Sequence, residues 1–173
     1  AQTTITALPP AGGMVNRQQL CNVVVVSFSE QKIEGVVHIN LQNVGSGKIV
    51  LSGISSTVQI QKGTRMFGLQ ELSPVQYSYE SPALSGQPDG FIPIGMYRAC
   101  YTLNGLGQFA ETILAETCIT FEVQPLSPVK LLYPEDSAVI AERNPQFTWL
   151  PPMPLCLFSK LSYEILLTEK GKQ

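Results

Sequence analysis

Charge is scarce in this chain: 14% of its 173 residues are Asp, Glu, Lys or Arg, and the net charge is −2. So weak a field offers no electrostatic attraction for nucleic acid or for an anionic membrane surface. Histidine is nearly absent. The single one, His38, stands between Val37 and Ile39 without an acidic or cysteine neighbour, so neither a metal-ligand set nor an acid–base pair assembles around it locally, and it reads as a solvent-facing strand residue. The acidic residues are scattered over turns and strand ends. Hydrolytic catalysis needs a paired acid and base, or a nucleophile beside its base; no such constellation is visible, and the chain reads as a non-enzyme with no cofactor and no metal. Also missing are a Cys-x-x-Cys motif, any long run at helical spacing, and any apolar stretch near the ~20 residues that a transmembrane helix requires. The first residues, Ala1-Gln2-Thr3-Thr4-Ile5, lack an initiator methionine and a charged-then-apolar leader. They read as a mature end exposed by signal-peptide removal, or as a boundary set by hand.

What is present favours strands. Hydrophobic residues make up 44% of the chain, alongside 14 glycines and 13 prolines. With many Val, Ile and Thr, that composition describes an all-β chain broken by frequent turns, long enough for one large or two small domains. The clearest element is a hairpin. In its first run Tyr97, Ala99, Tyr101 and Leu103 share one face and Met96, Arg98, Cys100 and Thr102 the other, the period of two that marks a half-buried strand. In its second run Ile119, Phe121 and Val123 alternate with Cys118, Thr120 and Glu122. Setting Cys100 opposite Cys118 places Arg98 against Thr120, Ala99 against Ile119 and Tyr97 against Phe121, with the apolar residues on one side. A slip of one residue would turn half of them into water, so cysteines and hydrophobic pattern specify the same register independently. A cross-strand structural disulfide is the expectation, in preference to a redox switch or half a metal site. It would stabilise the domain by roughly 3 kcal/mol in the chain-entropy model and places the protein in an oxidising compartment, a periplasm or cell surface.

Taken in order, residues 1–19 carry Pro9-Pro10 and Gly12-Gly13 among small polar residues. This is the composition of an extended arm, either lying on a partner or loosely ordered. Residues 20–124 form the expected β-sandwich domain. Four consecutive valines, 23 to 26, read as a fully buried strand. Val37, Ile39 and Leu41 alternate with His38, Asn40 and Gln42, a strand with one wet face. Asn43-Val44-Gly45-Ser46-Gly47 supplies the turn, and residues 48–51 begin the return. Gly53 suggests a bulge or bend before residues 57–60 continue the strand. Residues 63–72 read as a loop or a lone strand. Tyr77 and Tyr79 alternate in a short strand before a long excursion to Gly90. Two rings packed into the core are the expectation, and an exposed binding platform is the alternative.

Residues 125–173 read as the first strands of a second sandwich. Phe147 and Trp149 share a face, Pro151, Pro152 and Pro154 end their strand, and Tyr163, Ile165 and Leu167 line the next, where Trp149 should meet Tyr163 or Ile165. A fibronectin-type sandwich needs about seven strands and ~100 residues, so the remaining strands are expected further along the same polypeptide or from a partner. The partners of Cys21 and Cys156 stay open.

The residues Phe91-Ile92-Pro93-Ile94-Gly95-Met96-Tyr97-Arg98-Ala99-Cys100, Glu116-Thr117-Cys118-Ile119-Thr120-Phe121, Leu131-Leu132-Tyr133-Pro134-Glu135-Asp136 and Asn144-Pro145-Gln146-Phe147-Thr148-Trp149 carry a resemblance. The chain resembles the N-terminal region of large, cysteine-paired β-sandwich proteins (TANFOR-like) of gliding bacteria that use type IX secretion. There a Gly-x-Tyr-x-x-Cys closing hairpin precedes fibronectin-type-III-like modules. The likeness spans about residues 22–167 and rests on motifs that many sandwich families share in part. It implies an immunoglobulin/fibronectin-type-III-like β-sandwich followed by a second module. It also implies a non-catalytic envelope protein in the periplasm or at the cell surface, with protein partners in an outer-membrane secretion or gliding complex. The alternative function is an extracellular adhesive or carbohydrate-binding module that uses Tyr77 and Tyr79.

Overall fold

The computed structural model describes residues 3–85, 90–125, 127–153 and 162–168. Its strands in chain order are β1 (Thr3–Ala7), β2 (Val23–Ser27), β3 (Ile33–Asn43), β4 (Ile49–Ile54), β5 (Val58–Ile60), β6 (Gly63–Phe67), β7 (Gln76–Tyr79), β8 (Gly95–Gly105), β9 (Ile113–Val123), β10 (Lys130–Tyr133) and β11 (Thr148–Leu150). Two single-turn helices, α1 (Leu69–Leu72) and α2 (Pro82–Ser85), and a 3-10 turn at Arg17–Leu20 interrupt them. The chain is all-β, as its composition requires, and every strand-to-strand ladder is antiparallel.

One sheet has the order β1-β2-β6 and the other β7-β4-β3-β8-β9, with β5 paired on the start of β3. Their inner faces meet in one core. From the first sheet come Ile5, Ala7, Val23, Val25 and Phe67; from the second come Val37, Ile39, Leu41, Leu51, Tyr97, Ala99, Tyr101, Leu103, Phe121 and Val123. Alternation does the sorting. Along β3 the residues Ile33, Val37, Ile39 and Leu41 are buried while His38, Asn40 and Gln42 lie on the wetter face. The β8–β9 ladder pairs Tyr97 with Phe121, Arg98 with Thr120, Ala99 with Ile119 and Cys100 with Cys118, the register that the apolar pattern demands.

Four expectations about the sandwich are corrected. The stretch read as an extended arm is built into the sandwich: β1 pairs with β2 from Thr3↔Ser27 to Ala7↔Val23, and Ile5, Ala7 and Val15 are buried. Its Pro-Pro and Gly-Gly pairs lie between β1 and the 3-10 turn, where Gly13 forms a parallel bridge with Val123 and its carbonyl accepts from the Gln124 N–H at 3.0 Å. The valine run is not buried on both sides. Val23 and Val25 face the core while Val24 and Val26 are half exposed, because among the described residues the first sheet is covered on one face only and position in the pleat overrides residue type. The irregularity of β4 lies at Val50, between the pairs Leu41↔Leu51 and Gln42↔Ile49, and not at Gly53. Gly53 holds its register opposite Ile39 and Tyr77; a Cβ there would sit 3.3 Å from the Tyr77 ring and from Val75, so the glycine makes room for an aromatic neighbour. Residues 63–72 are neither loop nor lone strand. They form β6, hydrogen-bonded to β2, and then α1, opened by the Gly68 N–H donating to the Glu71 carboxylate at 2.9 Å.

Beyond Val123 the described chain forms a two-stranded ribbon, β10 with β11, pairing Lys130 with Leu150 and Leu131 with Trp149. The strand ends at Leu150, directly before Pro151. Trp149 packs its ring on Tyr163 at 5.2 Å between centroids. The expected third strand does not form: residues 162–168 pair with nothing among the described residues, and all of them are exposed. Alternating apolar residues specify a strand only where a neighbour completes the ladder. Cys156 and the polar residues from Glu169 onward lie outside the described residues.

Gly35 tests this packing. A Cβ on it would lie 2.8 Å from the Asn104 carbonyl oxygen and 3.3 Å from Leu103 Cδ1, both in β8, so Gly35→Ala should push β3 and β8 apart and cost about 1–3 kcal/mol. A chemical-denaturation midpoint equal to that of the parent protein would contradict the close approach.

Candidate functional site

Tyr77 and Tyr79 lie on β7, at one edge of the larger sheet, two residues apart and therefore on one face. Both are half buried, and their ring centroids are 6.4 Å apart. Neither ring is an open platform. The Arg17 guanidinium lies over both, 5.2 Å from the Tyr77 centroid and 5.7 Å from that of Tyr79, and donates a hydrogen bond to the Tyr79 hydroxyl. A cation over two aromatic faces is held by their quadrupoles as well as by dispersion. Arg17 thus occupies the place that a ligand would take on such a pair.

Arg17 is held from three directions. It starts the 3-10 turn, whose Asn16 side chain accepts from the Gln18 N–H at 2.9 Å while the Asn16 N–H donates to Gln19 Oε1 at 2.7 Å, a reciprocal cap. Its own N–H donates to the Gly90 carbonyl at 2.9 Å, and the Ile92 N–H donates to the Val15 carbonyl at 2.9 Å. Gly90 has φ +67°, and a Cβ there would meet Arg17 Nε at 2.8 Å. The segment before β8 and the segment before β2 therefore brace each other over the tyrosines.

Beneath this lid the turn delivers two further groups. The Leu20 carbonyl accepts from the Tyr101 hydroxyl at 2.9 Å, and the Cys21 thiol lies 3.4 Å from the Tyr77 hydroxyl. Cys21 is a free thiol and fully buried. Burial pushes its titration above the ordinary value, against a smaller opposing effect of the Tyr77 hydrogen bond. Burial also raises Tyr77 well above its ordinary value; the Cys21 hydrogen bond and charge add to the rise and the Arg17 charge opposes it. Tyr101 is raised chiefly by burial. A thiol kept protonated in this way is a poor nucleophile. The reading of the residues alone missed Arg17 and the role of Cys21, although Asn16-x-x-Gln19 was a legible sign of a capped turn.

The disulfide occupies the opposite face of the same sheet. Cys100 and Cys118 are bonded, S–S 2.12 Å, with Cys100 half buried and Cys118 exposed. Around them the outward side chains of β3, β4 and β8 are mostly polar: His38, Asn40, Gln42, Ser52, Arg98 and Thr102. The Ser52 hydroxyl donates to Asn40 Oδ1 at 2.9 Å. Among the described residues no group of three or more His, Cys, Asp or Glu side chains could hold a metal ion, and no helix is long and apolar enough to cross a membrane.

A third surface has a different character. On and beside the β10–β11 ribbon Val129, Leu131, Leu132, Tyr133, Leu150 and Met153 are each 41–52% exposed. A recess of about 310 Å³ there is lined by Val129, Leu150, Pro151 and Met153 among others. No protein-family model, curated protein or solved structure matches the chain.

The buried hydroxyls and thiol set a pH dependence. Cys21, Tyr77 and Tyr101 titrate above their ordinary values of 9.0 and 10.0 in the folded protein, so above those values the unfolded chain releases protons that the folded chain retains. Their contribution to stability is complete below about pH 8.5 and declines as the pH rises through 9.0 and 10.0 towards the folded values. Urea unfolding should show a lower midpoint at pH 10.5 than at pH 7.5 (about 8 or below on the plateau), with a shallower decline in Tyr77→Phe. A midpoint independent of alkaline pH would remove the buried cluster from the account.

Proposed function

We propose that this chain is a non-catalytic structural and interaction unit of an exported envelope protein. It is a sandwich of the immunoglobulin/fibronectin-type-III-like kind that holds an adjoining apolar surface against protein partners. The observation that carries this reading is the apolar set on β10, β11 and the residues beside them, Val129, Leu131, Leu150 and Met153 at 48–52% exposure. A two-stranded ribbon is marginal on its own, and clustered exposed apolar side chains mark protein contacts. The disulfide supports export, since such bonds persist in oxidising compartments. The sequence resemblance supplies the setting: the periplasm or cell surface of a gliding, type IX-secreting bacterium, with an outer-membrane secretion or gliding complex as the partner. The carbohydrate-binding alternative draws on Tyr77 and Tyr79, and the Arg17 guanidinium over both rings weighs against it.

Fractionated envelopes test the proposal. The native protein should sediment with the outer membrane and migrate on native gels in an assembly larger than itself. Leu131→Asp with Leu150→Asp should reduce that association by at least about tenfold, as for loss of an anchor residue at an interface, while near-ultraviolet circular dichroism shows the sandwich unchanged. A wild-type protein that migrates free from native envelopes, with the double variant indistinguishable from it, would exclude the interaction role.

A further inference from the structure

The β8–β9 pairing does not rest on the disulfide alone. The two strands are already joined by a ladder running from Gly95↔Val123 to Asn104↔Ile113, and their register is imposed by Tyr97, Ala99, Tyr101, Leu103, Phe121 and Val123 on the buried face. The sulfurs lie on the other face. The bond can therefore open with the strands in place, and the two sulfurs are not equivalent in how a reagent reaches them.

We propose that Cys100–Cys118 is a thiol-exchange site in which Cys118 is the sulfur attacked and Cys100 the sulfur that leaves. Thiol–disulfide exchange is an in-line displacement, so the attacking thiolate approaches one sulfur from the side opposite the other. In the strand order β7-β4-β3-β8-β9, the line from Cys100 to Cys118 leads off the last strand of the sheet, and Cys118 is exposed there. The reverse approach, towards Cys100, crosses β3, where Asn40 stands directly opposite Cys100 with its Oδ1 engaged by Ser52; Cys100 is also the more buried of the two.

The step balances without any metal or cofactor. A thiolate RS⁻ forms a bond to Cys118 Sγ, the Cys118–Cys100 bond breaks, and its electron pair leaves on Cys100 Sγ, which takes a proton from water. One disulfide is exchanged for one mixed disulfide. A second equivalent of the thiol then attacks the R sulfur of the mixed disulfide and releases Cys118 as a thiol and RSSR, the thiol being oxidised and the cystine reduced by two electrons. If no second thiol arrives, Cys100 attacks Cys118 and restores the original bond. The site thus offers a reversible covalent attachment point for a small or polypeptide thiol, and Cys21, buried and protonated, takes no part.

The test uses the full chain in non-denaturing buffer, with reduced glutathione in one arm and a cysteine-bearing peptide in the other, quenched with iodoacetamide and mapped by mass spectrometry. The expected products carry the adduct on Cys118 and the carbamidomethyl group on Cys100, with Cys21 unlabelled and near-ultraviolet circular dichroism unchanged. Faster reaction in the peptide arm identifies a polypeptide thiol as the favoured co-reactant, and faster reaction with glutathione a small one; either requires the Cys118 adduct. Adducts found chiefly on Cys100, or none until denaturant also exposes Cys21 to alkylation, would overturn the assignment.

Discussion

The hydroxyl of Tyr101 sets the arrangement on which much of this structure depends. Tyr101 sits in the middle of β8 with its side chain fully buried, and a buried hydroxyl without an acceptor costs more than most packing contacts return. Its partner is the carbonyl of Leu20, 81 residues away in sequence. Meeting that one requirement brings the 3-10 turn onto the core, and the turn in turn places Arg17 over the two tyrosines, Cys21 beside Tyr77, and the chain in position to enter β2. The Val15–Ile92 and Arg17–Gly90 backbone hydrogen bonds then close the same end of the sandwich from the other side.

The larger sheet separates two chemistries by the pleat alone. Its inner face is aromatic and aliphatic; its outer face carries Asn40, Ser52, Arg98, Thr102 and the disulfide. One consequence is that the two kinds of cysteine are held in opposite environments. Cys21 is buried, protonated and paired with a phenol, while Cys118 stands at the edge of a polar surface. The two also differ in chemical state: Cys21 is a free thiol shielded by burial, and Cys118 is half of a cystine at an exposed position.

The ribbon beyond the sandwich follows another logic. Two short strands cannot bury both of their faces, and Leu131, Leu150 and Met153 remain half in water as a result. Where the sandwich hides its apolar residues between two sheets, the ribbon presents them, and this contrast within one chain gives the proposed interaction role its physical basis.

Residues close together in sequence and governed by a period of two were legible in advance. The β8–β9 register, the opposition of Cys100 and Cys118, and the wet face holding His38 all follow from alternation that a one-residue slip would destroy. The reading failed where alternation was absent or where the partner was distant. Four valines in a row carry no period, so which pair faces inward was decided by the sheet that β2 joined. Thr3–Ala7 became a strand because β2 offered a free edge to it, although the Pro and Gly after it have the composition of an arm. Arg17 over Tyr77 and Tyr79 joins segments some 62 residues apart, and the residues 162–168 alternate without forming a ladder with any of the described residues. By itself the sequence determined the fold class and one hairpin, since those depend on local periodicity. The tertiary structure decided which edges met, and with them the covering of the tyrosines and the exposure of each sulfur, because these depend on contacts between segments that no local pattern encodes.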